Sequence, residues 1–416
     1  MSRVVDLFAG PGGWDVGARD LGLDPLGIEW DDAACRVREA AGLRTLQADV
    51  SALDPRDFPC DLLIASPPCT AFSMAGKGEG RKAMDALLAC IDRMAAGEPV
   101  DALELDRVCD DETAHLVLEP LRWALALEPG MVCCEQVPPA LPIWQAMEPV
   151  LRARGYHTWS GVLSAETFGV PQTRKRAFLI ASRFGPVGPP APTHARYVAP
   201  QNRDDDGGGL FALPEPERVV LPEDRGLLPW VSMADALGWG MTARPYPAVA
   251  SSRTTGGPDK EKVGGSGARD VIYGEQAAGR WQMRANAQAN AAVRQVDEPA
   301  PTITAGHDSG ERVWVTERPS TTVAADPRIP EPGWRGSPDD YDADGNYTGK
   351  RSTDNAVRVT EAQAARLQGF PDNYPWHAAG SRSAAFRCIG NAVPPPLAAA
   401  VLAEALATTA QQENAA

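Results

Sequence analysis

A cysteine, a glutamate, two arginines and a glycine-rich turn carry the chemistry open to this chain. Cys69 closes the turn Ser66-Pro67-Pro68-Cys69, which follows the apolar run from Asp61 to Ala65. Two prolines fix the backbone just before the thiol, at a strand's carboxyl end, where α/β proteins place their ligands. A thiol that only fills a core needs no such turn, so Cys69 reads as a nucleophile. A later strand runs into Cys133-Cys134-Glu135-Gln136-Val137-Pro138 and presents a carboxyl at the same edge. In Gln172-Thr-Arg174-Lys-Arg176, strand alternation sets both arginines on one side and Lys175 on the other.

The glycine-rich turn is Asp6-Leu-Phe8-Ala-Gly10-Pro-Gly12-Gly13, and it opens a helix in the way a backbone approaches a ligand closely. Counted from Gly10, a dinucleotide fingerprint needs a glycine where this chain has Asp15, which argues against a nicotinamide oxidoreductase. A nucleoside ligand without a pyrophosphate, such as S-adenosylmethionine, fits instead. Glu29 at the next strand's end is placed to accept hydrogen bonds from a ribose, Trp30 to stack on a base, and Asp49 to accept from an adenine amino group. Each alone is as readily a helix cap as a ligand contact. In series at strand ends, they favour a nucleoside cofactor.

The elements that must position these residues alternate strand and helix from Arg3 to about Arg183. Val4 to Phe8, Leu26 to Trp30, Leu62 to Ala65, Met131 to Glu135 and Phe178 to Ala181 are strand candidates, with a further strand ending at Asp49. Such alternation predicts an α/β fold, a mostly parallel sheet with helices on both faces. Residues 184–218 are rich in Pro, Gly and Asp and read as a linker. Residues 219–358 lack long helical periodicity. They place proline before short β-branched runs, as in Glu298-Pro-Ala-Pro-Thr-Ile-Thr and Arg318-Pro-Ser-Thr-Thr-Val-Ala, which predicts a smaller, irregular β-rich domain. Helical patterning returns over 359–407, with Thr360 as N-cap and Pro394 to Pro396 as a helix start. If these helices pack on the first domain, the β domain is an insertion, and 408–416 is a polar tail.

The chain has 416 residues, 44% apolar and 23% charged, which suits two globular domains. No apolar run approaches the roughly 20 residues that cross a bilayer, and the first residues lead straight into a strand, so we expect no membrane association and a cytoplasmic location. Eight cysteines without a CxxC pair argue for reduced thiols. A net charge of −15 disfavours a protein that coats nucleic acid without specificity, but not local binding. Between Arg244 and Arg294 eight basic residues stand against four acidic ones, and Lys77, Arg81 and Lys82 flank glycines in a loop able to close over an anionic substrate.

Read in order, DLFAGPGG, EWD, PPC with the following FSMAG, EQV, QTRKR, RLQGFPDNY and GNAVPPPLA resemble the motifs of the cytosine-C5 DNA methyltransferases. The resemblance covers about 1–183 and 358–407, and chance agreement of seven ordered motifs is negligible. It implies an S-adenosylmethionine-dependent methyltransferase fold: a Rossmann-like mixed sheet plus a target-recognition domain. Cys69 would add to C6 of a flipped cytosine, Glu135 would hold and protonate N3, Arg176 would bind O2 and Glu135, and Arg174 would support the substrate backbone. Phe8, Gly10, Gly12, Glu29, Trp30, Asp49, Pro68, Asn391 and Val393 would form the S-adenosylmethionine site. Thr70 and Gln136 depart from the Gln and Asn usual in the family.

The resemblance further implies double-stranded DNA as partner and restriction-modification as a setting, with a cognate endonuclease not required for activity, and we expect a monomer. Two other readings compete: a tRNA cytosine-C5 methyltransferase, and a non-catalytic DNA-binding regulator. The long 219–358 region favours DNA, and intact Cys69, Glu135, Arg174 and Arg176 favour catalysis. Other features read as structural. Asp340-Tyr-Asp342-Ala-Asp344-Gly345 begins like a calcium loop, but Arg351 stands where its last ligand belongs. The five histidines lack ligand spacing, so no metal site is expected. Trp230, Trp239, Trp281 and Trp314 read as core rather than base-stacking residues.

Overall fold

The computed structural model describes residues 3–68, 79–100, 105, 109, 113–197, 221–231, 235–236, 281–284, 293–295, 299, 313–316, 356–358 and 360–415. Cys69, Thr70, Lys77, Gly78 and the Asp340 to Arg351 turn lie outside them, while Glu79 to Lys82, read from the sequence as part of a loop, begin a helix instead. Seven strands form the main sheet: β1 (Val4–Leu7), β2 (Leu26–Glu29), β3 (Arg44–Gln47), β4 (Leu62–Ala65), β5 (Met131–Gln136), β6 (His157–Ser164) and β7 (Lys175–Ser182). Their order is β3-β2-β1-β4-β5-β7-β6. The first five pair in parallel, while β7 runs antiparallel to both β5 and β6. The sheet is thus mixed, and β6 is an addition to the strands the sequence suggested.

Strand alternation divides the core between the two faces. Val5, Leu7, Leu63, Ala65, Val132, Cys134 and Leu179 face one layer, built from α3 (Glu79–Ala95), α4 (Glu119–Leu127) and α5 (Leu141–Ala153). Val4, Leu62, Ile64, Met131, Cys133, Phe178 and Ile180 face the other, where α1 (Gly13–Arg19) packs with α8 (Pro395–Ala415). Leu397, Ala398, Val401, Leu402 and Ala405 of α8 are buried there. Helix α8 is long and apolar because it is a core helix. A third cluster joins α2 (Asp32–Ala40) to α6 (Glu361–Leu367) and α7 (Arg382–Asn391) beside the sheet. The chain's last helices therefore complete the first domain. Thr360 caps α6 with a full capping box to Gln363.

Residues 184–197, the start of the segment read as a linker, lie along this body. Phe184 and Val187 join the α8 face, Gly188 N–H donates to Glu404, and Thr193 and His194 donate to the Thr167 carbonyl. The described part of the later region contains four short antiparallel strands, β8 (Trp281–Arg284), β9 (Val293–Gln295), β10 (Val313–Thr316) and β11 (Ala356–Arg358), in the order β11-β10-β8-β9. Trp230 is buried and meets Tyr197 edge to face. Trp239 and the side chains of Trp281 and Trp314 lie outside the described residues.

Candidate active site

The chain leaves β1 toward β2 and β3 on one side and returns to β4 on the other, so the carboxyl ends of β1 and β4 flank the point where strand order reverses. Crevices at such points take ligands. The turn after β1 lines one wall. Phe8 sits at a φ of 56° and Gly10 and Gly12 at 53° and 102°, all left-handed. For a phenylalanine this conformation is strained, and strain of this kind collects at ligand sites. A methyl group placed on Gly10 would meet nothing within 4 Å, so space lies open over the turn.

Side chains from other elements hold the turn in place. Glu29 accepts from Gly10 N–H at 2.7 Å through one oxygen and from Trp30 and Asp31 N–H through the other. The exposed, 74% accessible indole of Trp30 stands at the crevice mouth. Asp49 spends one oxygen on Ser51, capping a short turn, and Asp31 caps α2 while pairing with Arg387. Beneath the turn, Arg38 and Asp15 form a fully buried bidentate pair at 2.7 Å, and Arg38 also donates to the Ala9 carbonyl. Asp15, the residue that argued against a dinucleotide, is therefore the anchor of this turn. Buried Asp6 lies beside Asp15, with no other hydrogen-bond partner for its carboxyl. Burial, and then the neighbouring Asp15, raise its pKa well above the ordinary value.

The other wall begins at β4. Trp14 of α1 donates to Ser66 Oγ at 2.8 Å, tying the two walls together. Gln136 lies two residues beyond the last β4–β5 pair, Ala65 with Cys134, and its amide donates to the Pro67 carbonyl at 2.9 Å and the Pro68 carbonyl at 3.3 Å. Its own oxygen accepts from Val137 N–H. The longer Gln thus holds the proline turn that precedes Cys69. On the next strand Arg176 pairs with Glu135, Nε to Oε1, at 2.9 Å. The register explains this contact: Glu135 is opposite Phe178, and Arg176 is two residues earlier on the same face of β7. Both side chains are nearly buried, 8% and 12% accessible.

Arg174 is buried and donates to the Gly390 carbonyl at 2.9 Å, bracing the end of α7. Asn391 is the exposed last residue of that helix, and Val393 is buried with its backbone against Gly13. Gln172 and Gln368 continue this seam, Gln172 donating to Gln368 and Gln368 to the Ala392 carbonyl. Sequence reasoning noted Asp15 and had Gln172 and Gln368 within its motifs, but gave none of them these structural roles and did not single out Arg38. Among the described residues no group of three His, Cys, Asp or Glu side chains could hold a metal.

The sequence model of the C-5 cytosine-specific DNA methylases matches residues 2–96, 106–204 and 265–407, which reaches into the middle region that the sequence motifs had left uncovered. The chain is 26% identical to the type II methyltransferase M.OihORF3336P of Oceanobacillus iheyensis across 98% of this chain and 95% of that one. Its fold is similar to that of a DNA modification methyltransferase encoded within an Escherichia coli prophage, with a TM-score of 0.52 at 17% identity over 99% of this chain and 100% of that one. The Dnmt2 methyltransferase of S. pombe gives a TM-score of 0.51 at 16% identity over 98% and 99%. With its motifs in order and the family matched along most of its length, this chain belongs to the C-5 cytosine-specific DNA methylases.

Proposed function

We propose that the protein transfers a methyl group from S-adenosylmethionine to C5 of a cytosine within a short duplex DNA sequence, through a covalent adduct at Cys69. The observation that carries this reading is the Glu135–Arg176 pair at the sheet edge, beside a proline turn that Gln136 holds by two carbonyls. C5 of cytosine is a poor nucleophile within an aromatic ring. Addition of a thiolate at C6, with Glu135 donating a proton to N3, converts C5 into an enamine carbon. Arg176 fixes the Glu135 carboxyl and lies within reach of the base's O2. S-adenosylmethionine, when bound, supplies a methyl activated by a sulfonium. Loss of the C5 proton to water, expulsion of the Cys69 thiolate from C6 and return of the N3 proton to the Glu135 carboxylate then restore the ring. Because the target atoms lie inside the base stack, the cytosine must be flipped out.

Five of the other cysteines are poor candidates for the nucleophile. Burial pushes the thiols of Cys35, Cys60, Cys133 and Cys388 up to about 12, and Cys134 well above its usual value, which leaves them protonated and unreactive. The nucleoside site fits the crevice: open space over Gly10, a free indole at Trp30, the Glu29 carboxylate and an Asp49 oxygen are the features such a ligand needs. Phe8, Gly12, Pro68, Asn391 and Val393 would complete it.

The test is tritiated methyl transfer to DNA, with bisulfite sequencing to locate the product. We expect cytosine-C5 methylation in one sequence context, lost to background in Cys69→Ser while cofactor binding persists. Duplex DNA containing 5-fluorocytosine should trap the protein covalently after methyl transfer, since fluorine cannot leave as a proton does. Activity of Cys69→Ser within a few-fold of wild type would refute the nucleophile.

A further inference from the structure

The turn from Phe8 to Gly13 is fixed by three side chains. Glu29 and Arg38 come from the same half of the sheet. The third arrives from 363 residues away: Tyr374 donates its hydroxyl to the Pro11 carbonyl at 2.5 Å. A Cβ on Gly12 would stand 2.8 Å from that hydroxyl, so the glycine leaves room for it. The ring is locked in place. Phe370, Tyr374 and Trp376 meet pairwise with centroids 4.9 Å apart, within the cluster that α2 forms with α6 and α7. Arg366, which precedes them, pairs with Asp372 at 2.7 Å and reaches the Ala236 carbonyl at 3.4 Å.

Resting on the reading that this turn takes S-adenosylmethionine, we propose that Tyr374 is a positioning residue for the cofactor site, its hydroxyl setting the path of the turn through Pro11. Pro11 has no N–H and lies beyond the end of β1, so the phenol supplies a constraint that strand pairing does not give there. Burial raises the Tyr374 pKa, and the hydroxyl stays protonated and able to donate across the working pH range. Glu135, Arg176 and the Pro67–Pro68 turn stand on other strands, so the hydroxyl acts on cofactor affinity rather than on the reacting base.

Tyr374→Phe keeps the ring and its packing and removes only the donor. One neutral hydrogen bond lost from the turn predicts about a five-fold rise in KM for S-adenosylmethionine. Calorimetry without DNA should show a matching fall in affinity for S-adenosylhomocysteine, with kcat at saturating cofactor and KM for DNA within about two-fold of wild type. Amide exchange at residues 8–13 of the free protein should quicken in the variant. A lowered melting temperature with cofactor affinity and loop exchange unchanged would overturn the proposal and leave Tyr374 a packing residue. The calorimetric arm keeps the outcomes apart: wild type that binds the cofactor but methylates no DNA would refute the proposed function while still testing Tyr374.

Discussion

Gln136 and Asp6 show how much a single side chain can settle at this site. The sequence placed Gln136 beside Glu135 but gave no hint that its amide would span to two proline carbonyls, because the contact depends on the pairing of β4 with β5. Gln136→Ala should free the turn before Cys69. A nucleophile displaced by about 1 Å loses on the order of a hundred-fold in rate, so single-turnover methyl transfer at saturating cofactor should fall about ten- to a hundred-fold, and an unaltered rate would remove Gln136 from this role. Asp6 makes a pH prediction. In the unfolded chain it titrates near 3.8, and in the fold well above that value, chiefly through burial. The folded protein retains a proton that the unfolded chain has released. Its contribution is thus intact below about pH 4 and is lost as pH rises through the folded value. Asp6→Asn has no such proton, so its stability relative to wild type should improve by about 1.4 kcal/mol per pH unit between the two values. Urea titrations at pH 5 and pH 8 would show this, and a pH-independent difference would mean that Asp6 is not shifted.

At the scale of elements, the legible parts were those that local chemistry dictates. The apolar runs of β1, β2, β4 and β5, the turn-forming glycines and the Thr360 cap are written into adjacent residues. Strand β6 was not. His157–Ser164 is an edge strand, mostly half-buried, and Gly161 interrupts its alternation, so its identity comes from pairing with β7. The buried Asp15–Arg38 pair was equally invisible, since neither residue type announces full burial. Removing one partner of such a pair leaves an uncompensated charge, and Arg38→Ala should cost about 3–5 kcal/mol in denaturant unfolding; a loss below about 1 kcal/mol would show the pair to be dispensable. The join between α1 and the chain's far end can be tested more finely. A Cβ on Gly13 would stand 2.1 Å from the Val393 carbonyl. Gly13→Ala should therefore push the two segments apart and weaken S-adenosylmethionine binding at least several-fold by calorimetry, and undiminished affinity would separate Val393 from the cofactor site.

For the whole molecule, the problem is to bring a polyanion to a protein of charge −15. Attraction has to come from a restricted basic face, and the sequence offers the Lys77 to Lys82 segment, Arg174 to Arg176, and the arginines between 244 and 294. The structure narrows this choice, because Arg174 is buried against Gly390 and Arg176 is engaged with Glu135. We propose that the middle region supplies much of the contact. Its four-stranded sheet sets Arg284 and Arg358 on either side of Val313 in one cross-strand row, and Gln282 and Gln295 as partners two residues along from Arg284 and Val293. Arginine and glutamine are residue types that read guanine and adenine edges, whereas arginines that meet only phosphate weaken all DNA alike. Individual substitutions of Arg244, Arg253, Arg269, Arg280, Arg284 and Arg358 should accordingly divide into two groups. Those lost from phosphate should each lower the salt slope of DNA binding by about one. At least one lost from a base should relax which sequence is methylated, at a cost of about 1–3 kcal/mol in discrimination, with cofactor affinity unchanged throughout. Genome-wide methylation maps for each variant, paired with salt-dependent binding, separate the two, and if every variant kept both the wild-type motif and the wild-type slope, the middle region would not be the part of the molecule that reads DNA.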